Sequence, residues 1–429
     1  MAKVFIYDEF GPEDVAMMQA LYSRSPKSVE EHVDKVKQSG SGKFMSTFYV
    51  GYGHASIADC GSTTIFIEGL SILADKAIQD WPLYSGQETS TRYIDMAKQA
   101  IIDPLDSEAS HQIMKDWMDF YIAGQEILKP FLKEKYPRRP EEDANVYEKA
   151  INARAFDIMR GFLPAGITTQ LSWHSNLRQA WDHLALLQHH PLAEVKILAK
   201  QILEKLQSKY ENSFSHPSYP EQEAYRALAV GKYSYFPPQN SQDFTFSTDI
   251  KHEDLKKYTE LLNERPLKTG LPYFLGDLGY CHFQFLLDYG SFRDIQRHRS
   301  AIARMPLLTT QLGFQSWYLE QMPADLRQQA ENLIAKQKQA IDALSADDNI
   351  KQYYVAMGFN VNCQISNNLP SAVYVAELRS GKTVHPSLRR IAQYMCRALQ
   401  EYLPEVKLYC DFDPDDWDVR RGLHDIINK

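Results

Sequence analysis

The sequence lacks the short motifs that mark the common phosphate-loop, metal and hydrolase sites. The segment GYGHAS at 51–56 has neither the third glycine of a dinucleotide fingerprint nor a Lys-Ser or Lys-Thr ending, so we expect a turn in which Ser56 caps a helix. His189-His190-Pro191 has no HExxH, HxxEH or cysteine partner, which favours a helix terminus. There is no GxSxG elbow. We therefore predict neither a metal site nor a hydrolase triad.

Cysteine is scarce, and long apolar runs are missing. The five cysteines form no CxxC pair, and their odd number and wide spacing predict free thiols in a reducing compartment. No stretch approaches the ~18 apolar residues that cross a bilayer. The start MAKVFIYDEF does not have the pattern of a secretory signal. We expect a cytoplasmic chain without membrane contact.

Positive charge is also in short supply. Lys and Arg number 47 against 55 Asp and Glu, which gives a net charge of −8. Nucleic-acid binders present clustered cations to the phosphate backbone, so this balance argues against a nucleic-acid partner. It leaves room for a local pocket, because a few convergent arginines can hold one phosphate.

What the chain does have is length, apolar content and an internal repeat. Its 429 residues are 44% hydrophobic and fit two domains of about 200 residues. TTIFIEGLSILADKAIQDW in the first half and CHFQFLLDYGSFRDIQRHR in the second both resemble a strand followed by a helix. Each is followed by a polar segment, a long helical pattern (about 110–135 and 324–344), a second strand-like block and a closing amphipathic helix.

The repeat predicts the fold class and the domain boundaries. We expect an α/β (α+β) fold of two tandem modules, each a mixed β-sheet flanked by long helices. The modules would be residues 1–215 and 246–429, with a Pro- and Tyr-rich connection at 216–245.

Two short segments carry candidate chemistry. Arg297-His298-Arg299 places three donors at the end of a helical pattern, where they suit an anion or an electron-rich ring; a basic helix terminus that complements the helix dipole is the simpler alternative. Ser90-Thr91-Arg92-Tyr93 carries a hydroxyl and a guanidinium two residues apart, which suits a turn that grips a phosphate. An ordinary surface turn is the alternative.

Taken together, the segments resemble the flavin-dependent thymidylate synthase (ThyX) family. The family signature is RHR, a short spacer and SxRY; later come Arg-x-x-Leu-Pro, an Asn, and an Arg eleven residues beyond it. GHASIAD with IFIEGLS resembles the flavin-side entry of the family, and MRGFLPAGITTQLSWHSNLR resembles its later block. The resemblance covers most of both halves.

The two halves keep different parts of the signature. RHR is intact at 297–299, whereas Asp80-Trp81-Pro82 stands at the matching place in the first half. Ser90 and Arg92 of SxR are kept only in the first half. The matching second-half positions hold Leu307 and Thr309.

The later block divides in the same way. Arg160 is kept in the first half and is matched by Gln352; each lies sixteen residues before an Asn, which is Asn176 or Asn368. Eleven residues after those asparagines come Leu187 in the first half and Arg379 in the second. Because each functional position survives once, we interpret the chain as a fused duplicate with one complete, composite site and one degenerate site.

The resemblance implies a chemistry and a set of roles. It implies C5 methylation of a pyrimidine nucleoside monophosphate, first of all dUMP to dTMP, with FAD bound and with NADPH and methylenetetrahydrofolate as co-substrates. It also implies a homodimer that mimics the tetramer of the family. Ser90, Arg92, Arg160, Arg297 and Arg379 would bind substrate, Arg297 and Arg379 also acting in catalysis; His298, Arg299, Asn368, His54 and Ser56 would bind the flavin.

Two departures keep alternatives open. Asp294 stands where the family usually has a Gln near the base, and RSGKTVHPSLRR keeps His385 but lacks the Gln-Trp-Glu that usually follows. A carboxylate near the base changes the hydrogen-bond pattern that the substrate must match. Another pyrimidine nucleotide, or a repurposed binding protein without flavin, is therefore the alternative function.

Overall fold

The computed structural model describes residues 9–23, 29–52, 54–89, 95–238 and 244–413, and everything below refers to these. The helices of the first half are α1 Pro12–Tyr22, α2 Val29–Ser39, α3 Gly42–Phe44, α4 Ile72–Gln79, α5 Glu108–Lys135, α6 Ala144–Met159, α7 Leu177–Leu187 and α8 Ala193–Lys209. The others are α9 Pro220–Tyr233, α10 His252–Lys256, α11 Thr259–Glu264, α12 Tyr289–Gln296, α13 Ser316–Glu320, α14 Ala324–Asp342, α15 Asp348–Lys351, α16 Leu369–Ser380 and α17 Pro386–Tyr402.

The strands form two small sheets. They are β1 Ser62–Ser71, β2 Ser85–Glu88, β3 Thr168–Asn176, β4 Phe244–Thr248, β5 Tyr280–Asp288, β6 Ile302–Ala303 and β7 Asn360–Asn368. The first sheet has the order β1-β3-β2, and the second has the order β4-β5-β7-β6. The α/β class with two repeated modules is confirmed. The second sheet is antiparallel at each of its pairings, so the prediction of a mixed sheet is wrong there.

The described residues group into two compact units. The first comprises the described parts of Met1–Leu70, Ala74–Thr89 and Thr169–Ser234. The second comprises those of Ser71–Leu73, Ser90–Thr168 and Tyr235–Lys429. The units do not follow the sequence boundary at 215, because α5 and α6 of the first half fold into the second unit. The division at 1–215 and 246–429 stays a prediction about the repeat.

A strand that runs directly into a capped helix recurs through the fold. Asp288 ends β5 and accepts a hydrogen bond from the amide of Ser291, the third residue of α12. Asn176 and Asn368 end β3 and β7, and their side chains accept from the third residue of α7 and α16. Such caps satisfy amides that have no partner within the helix. The local sequence therefore sets where each helix begins.

Inside the second unit, two equivalent turns pair with each other around a local pseudo-twofold. The Gly358 amide donates to the Gly161 carbonyl at 2.7 Å, and the Gly166 amide donates to the Tyr353 carbonyl at 2.9 Å. In the same reciprocal arrangement, the Met357 amide donates to the Leu163 carbonyl, and the Ala165 amide donates to the Val355 carbonyl. With the repeat offset of 192 residues, each bond is the counterpart of another. This is the pattern of an isologous contact, here made within one chain.

One local difference separates the repeats. Gly69 has φ +75°, which a residue with a side chain rarely adopts, and it lies with exposed Glu68 near the end of β1. The turns at Ala55–Cys60 and Tyr273–Leu278 are 218 residues apart, whereas α4 and α12 begin 217 apart. The first half therefore has one extra residue, which the glycine accommodates as a bulge.

The structure adds a helix to the connection and corrects the expectation of free thiols. The 216–245 connection contains a helix, α9, whose proline at its first position suits a helix start and none of whose side chains is buried. The thiols are not all free, because Cys396 on α17 is disulfide-bonded to Cys410. A separation of 14 residues without a CxxC pattern gave no sequence signal for this pair. In the described residues, no helix is long and apolar enough to span a membrane.

Candidate functional site

Helix α12 positions the Arg297-His298-Arg299 segment in the second unit. It is eight residues long, and its end places Arg297 at the helix C-cap. Arg299 donates from Nη1 to the carbonyl of Gln296 at 2.8 Å, which satisfies one carbonyl of the last turn. The cationic end complements the helix dipole, as the simpler sequence interpretation expected. The segment has other roles as well, because His298 and Arg297 also contact other side chains.

The side chains of His298 and Arg379, both assigned to the site from the family resemblance, are in direct contact. The Nε of Arg379 donates to Nε2 of His298 at 2.8 Å. Burial first, and then the nearby guanidinium groups, lower the pKa of His298 to about 3. The imidazole is therefore neutral, and because Nε2 accepts, its proton is on Nδ1. That Nδ1–H has no partner in the described part of the chain.

Arg379 is held by neutral acceptors. Its Nη2 donates to the carbonyl oxygen of Asp294 at 2.7 Å, and its Nε to His298. Burial and the charge of Arg297 lower the pKa of Arg379 to about 10. Among the described residues no carboxylate pairs with it. A half-buried guanidinium without a counter-charge favours an incoming anion or a carbonyl oxygen on which negative charge develops.

Asp294 occupies an informative place in this group. Its carboxylate pairs with Arg297, whose side chain is 55% exposed. The two residues lie three apart on the same helical face. The acid that replaces the usual Gln therefore has a cationic partner within the chain, and its backbone carbonyl holds Arg379.

Asn368 and its neighbour Asn367 lie where β7 meets α16. The side-chain oxygen of Asn368 accepts from the Ser371 amide at 3.1 Å. A Cβ on Gly276 would lie 2.6 Å from Nδ2 of Asn368, so only glycine allows that approach without a shift. Asn367 is fully buried; its oxygen accepts from the Ser371 hydroxyl, while its Nδ2 has no hydrogen-bond partner among the described residues. A buried donor without a partner is unusual, and a bound ligand is one explanation of it.

Arg160 lies in the second unit but at the other end of α12. Its Nη2 donates to the Ser291 hydroxyl at 2.9 Å and is 4.0 Å from the carboxylate of Asp288. Burial opposes the charge, but Tyr318, Asp288 and then Asp157 raise the pKa of Arg160 above its ordinary value. The structure thus brings Arg160 from the first half onto the helix that carries RHR, without direct contact with RHR.

Four further residues were predicted for the site, Ser90, Arg92, His54 and Ser56. Ser90 and Arg92 lie outside the described residues. His54 is the exposed N-cap of the Ala55–Cys60 turn in the first unit, and its side chain makes no capping bond. Ser56 lies inside that turn, so the prediction that it caps a helix is wrong. The flavin contacts assigned to His54 and Ser56 stay predictions.

The first-half counterpart of the site is filled with aromatic rings. Trp81 stands at the position of His298; its ring stacks on His183 at 4.7 Å, and its Nε1 donates to Gln179 at 3.1 Å. Leu187, at the position of Arg379, is buried. No cluster of metal-ligating side chains occurs in the described ranges. The absence of an arginine pair at this place agrees with its interpretation as the degenerate site.

Sequence reasoning missed the partners that lie far along the chain. Tyr318 and Ser387 both donate to Asp288, at 2.7 and 2.5 Å. His385, noted only as a remnant of the tail motif, is buried at the start of α17 and lies 2.8 Å from the Ser387 hydroxyl. No spacing rule links these residues to Asp288; the only sequence signal was their polarity within apolar segments.

The chain resembles known proteins in both halves. The family model described as thymidylate synthase complementing protein matches residues 6–210. The UPF0159 protein of Chlamydia muridarum is 26% identical, over 86% of this chain and 81% of the relative. That of Chlamydia pneumoniae is 24% identical, over 86% and 80%. The UPF0159 protein of Thermoplasma acidophilum is 24% identical, over 95% and 97%.

Each of these alignments covers more of the chain than one half contains, so the relatives share the double length. The matched segment 6–210 includes the first-half motifs, from GHASIAD to the helix after Asn176. This segment of the chain is therefore similar to the thymidylate synthase complementing protein family, ThyX.

Proposed function

We propose that the chain is a flavin-dependent enzyme that methylates a pyrimidine nucleoside monophosphate at C5, with dUMP as the first substrate to test. The observation that carries the proposal is Arg379, a half-buried guanidinium that, among the described residues, is held by His298 and a backbone carbonyl. An enzyme of this chemistry needs a positioned cation where charge develops on a pyrimidine oxygen. Arg379 and the adjacent Arg297 meet that need.

The protein residues supply binding and electrostatics. Arg297 is paired with Asp294 and is exposed enough to reach a ligand. When the pyrimidine ring gains electrons at C6, the two guanidinium groups stabilise the charge on its oxygens. The neutral His298 adds no charge of its own but offers the Nδ1–H donor. No protein nucleophile is required, which agrees with the lack of a catalytic cysteine motif.

The second half also fits FAD by the chemistry of its donors. The unpartnered Nδ2 of Asn367, the Nδ1–H of His298 and the guanidinium of Arg299 are donors suited to the polar edge and the diphosphate of a flavin. Asn368, assigned to the flavin from the motif, lies at the same strand end. When bound, the flavin supplies the redox chemistry, with NADPH and methylenetetrahydrofolate as the co-substrates that the family resemblance implies.

The phosphate of the nucleotide needs donors of its own. Ser90 and Arg92 are the proposed phosphate ligands, on the basis of the SxR motif alone. Arg160 is the third proposed ligand, on the basis of the Arg-x-x-Leu-Pro motif. Asp294 replaces the usual Gln, so the nucleotide panel should include uridine and cytidine monophosphates in ribo and deoxy forms.

The first test is the visible spectrum of the protein, purified without added cofactor and again after incubation with FAD. Flavin bands that are retained through gel filtration support the flavoenzyme. NADPH oxidation is then measured with methylenetetrahydrofolate and each nucleotide. A protein that stays colourless after incubation with FAD would favour the alternative, a nucleotide-binding relative without flavin.

Matched variants test the division of the site between the halves. Arg297→Ala and Arg379→Ala should abolish nucleotide-dependent turnover. Asp80→Ala changes the position equivalent to Arg297 in the degenerate half. It should leave turnover within about twofold, which corresponds to under about 0.5 kcal/mol of transition-state stabilisation. Trp81→Phe, which keeps an aromatic ring on His183, is the second control. Equal losses in both halves would contradict a single complete site per chain.

A further inference from the structure

A short segment that follows α17, residues 405–413, folds back over the end of α16, and we call it the strap. The Tyr409 amide donates to the Glu377 carboxylate at 2.9 Å, and the Asp411 amide donates to the Ser380 hydroxyl at 3.0 Å. Both acceptors belong to the last turn of α16. Because they are three residues apart, they share one face of the helix. The strap is therefore attached along the whole of that turn.

Two buried arginines add to the hold on the strap. Arg265 donates to the Lys407 carbonyl at 2.6 Å and to both carboxylate oxygens of Glu377. Arg389, on α17, lies 3.1 Å from the Asp411 carboxylate. If the strap left, a buried cation would lose this carboxylate, which is unfavourable. These contacts favour the closed position of the strap.

A disulfide bond locks the strap in the middle of these contacts. Cys410 of the strap is bonded to Cys396 of α17. Cys396 is fully buried, whereas Cys410 is half-buried, so an external thiol reaches the Cys410 sulfur first. Cys410 stands between Tyr409 and Asp411, whose amides bond to α16. The covalent bond therefore closes over the stretch that holds the helix.

The same helical turn carries Arg379. This residue lies between Glu377 and Ser380 in the sequence, and its own side chain donates to His298 and to the Asp294 carbonyl. The strap and the site thus contact one turn of α16 through different residues. Local opening of that turn would displace the backbone of Arg379 and weaken both of its bonds.

We propose that the strap is a redox-sensitive device: the Cys396–Cys410 disulfide keeps it closed over α16 and so holds Arg379 in place, and reduction by a dithiol opens it. A thiolate of the dithiol attacks the Cys410 sulfur, forms a mixed disulfide and releases Cys396, which takes up the proton. The second thiol then displaces Cys410. The dithiol is oxidised to its disulfide by two electrons, and the chain gains two thiols.

The test begins with a count of thiols in the full chain. The cysteines outside the disulfide are Cys60, Cys281 and Cys363. In denaturant, native protein should therefore react with a thiol reagent at three cysteines before treatment with a dithiol and at five after it. Five reactive thiols in protein purified without a reductant would overturn the proposal.

Hydrogen exchange, measured by NMR, then follows the strap and the helix separately. After treatment with a dithiol, the amides of Tyr409 and Asp411 should exchange at least about tenfold faster, because a disulfide that closes a short loop suppresses local opening by more than that factor. The amides in the last turn of α16 should follow, and the Nε–H signal of Arg379 should shift as its bond to His298 loosens. Amides of β5 and β7 serve as the reference, since global unfolding would expose them as well.

Three variants separate the disulfide from other effects of the reagent. Cys410→Ser should show the open behaviour without a dithiol and no further change with it. Cys60→Ser is the matched control; Cys60 is a free, half-buried thiol of the first unit, so this variant should respond as the native chain does. Ser380→Ala removes the hydroxyl that accepts from the strap but keeps the disulfide, and it should loosen the last turn of α16 in part. It carries the test, with the reduced native chain, if Cys410→Ser does not fold.

A disulfide that only staples the strap would behave differently. Faster exchange in the strap, with unchanged amides in α16 and an unchanged Arg379 signal, would overturn the link to the site. The effect on turnover rests on the proposed function: dithiol treatment should lower nucleotide-dependent turnover of the native chain and of Cys60→Ser by about tenfold or more. A native chain that takes up no FAD would contradict the proposed function alone, because the exchange comparison still decides the role of the strap.

Discussion

The buried neutral His298 leads to a specific dependence of stability on pH. Its pKa is lowered from 6.5 to about 3 in the folded chain. Between these two values the unfolded state binds a proton that the folded state does not, so folding stability falls as the pH falls from 6.5 towards 3. At pH 5, which is 1.5 units below the unfolded value, the loss amounts to about 2 kcal/mol.

The variant His298→Gln isolates this contribution. A glutamine oxygen can accept the hydrogen bond from Arg379 Nε but does not titrate. His190 also has a pKa lowered to about 3, through burial first, so the native chain loses stability in acid from more than one source. The prediction therefore concerns the difference in folding stability between the native chain and the variant, measured at pH 7.5 and at pH 5.

Because the chain has two compact units, a single unfolding midpoint does not report on His298. Hydrogen exchange of peptides from α12 and α16 follows the second unit, in which His298 lies. The protection of these peptides should fall by about 2 kcal/mol more in the native chain than in His298→Gln when the pH is lowered from 7.5 to 5. An equal fall in both proteins would refute the buried neutral imidazole.

Two further changes test other parts of the second unit. Cys410→Ser should lower the free energy of unfolding by up to about 3 kcal/mol, because the disulfide closes a loop of 14 residues. The measurement is urea unfolding of the variant and of the native chain with its disulfide intact. As the control, native protein treated with a dithiol should show the same loss. Gly358→Ala should cost about 1–3 kcal/mol in the same assay, because the new Cβ would overlap the Phe314 ring and lie 2.8 Å from the Gly161 carbonyl. Gly381→Ala is the matched control, because an added Cβ there would meet only a carbonyl oxygen at 3.4 Å. Gly313 does not serve as a control, since a side chain at its φ of +75° would strain the backbone.

Helices and strands were predicted best where the hydrophobic periodicity and the capping residues indicate the same boundary. The strand-to-helix transitions at Asn176 and Asn368 follow from apolar alternation that ends at a capping residue, and the structure begins α7 and α16 directly after them. The long helical patterns predicted at about 110–135 and 324–344 are observed at Glu108–Lys135 and Ala324–Asp342. Both are local features, which a single sequence can carry.

The features that sequence reasoning missed depend on distant partners. Cys396 and Cys410 become neighbours only because the segment after α17 folds back; Asp411 in that segment bonds to Ser380. The buried position of Arg160 depends on Asp288 and Ser291, which lie more than 120 residues further along the chain. A motif shows which residue type is kept at a position. The role of that residue depends on its tertiary contacts, which come from distant parts of the sequence.

Arg160 and Gln352 show how duplication allows two equivalent positions to acquire different roles. Both follow a helix and precede the paired turns of the pseudo-twofold, so their backbones are equivalent. Arg160 needs a buried counter-charge and has one in Asp288. Gln352 is fully buried but neutral; its oxygen accepts from the Leu308 amide at 3.0 Å, and its amide donates to the Asn349 carbonyl. In a symmetric oligomer of identical chains, one residue type would have to suit both surroundings. After fusion, each position can be optimised alone, and the halves can retain different arginines.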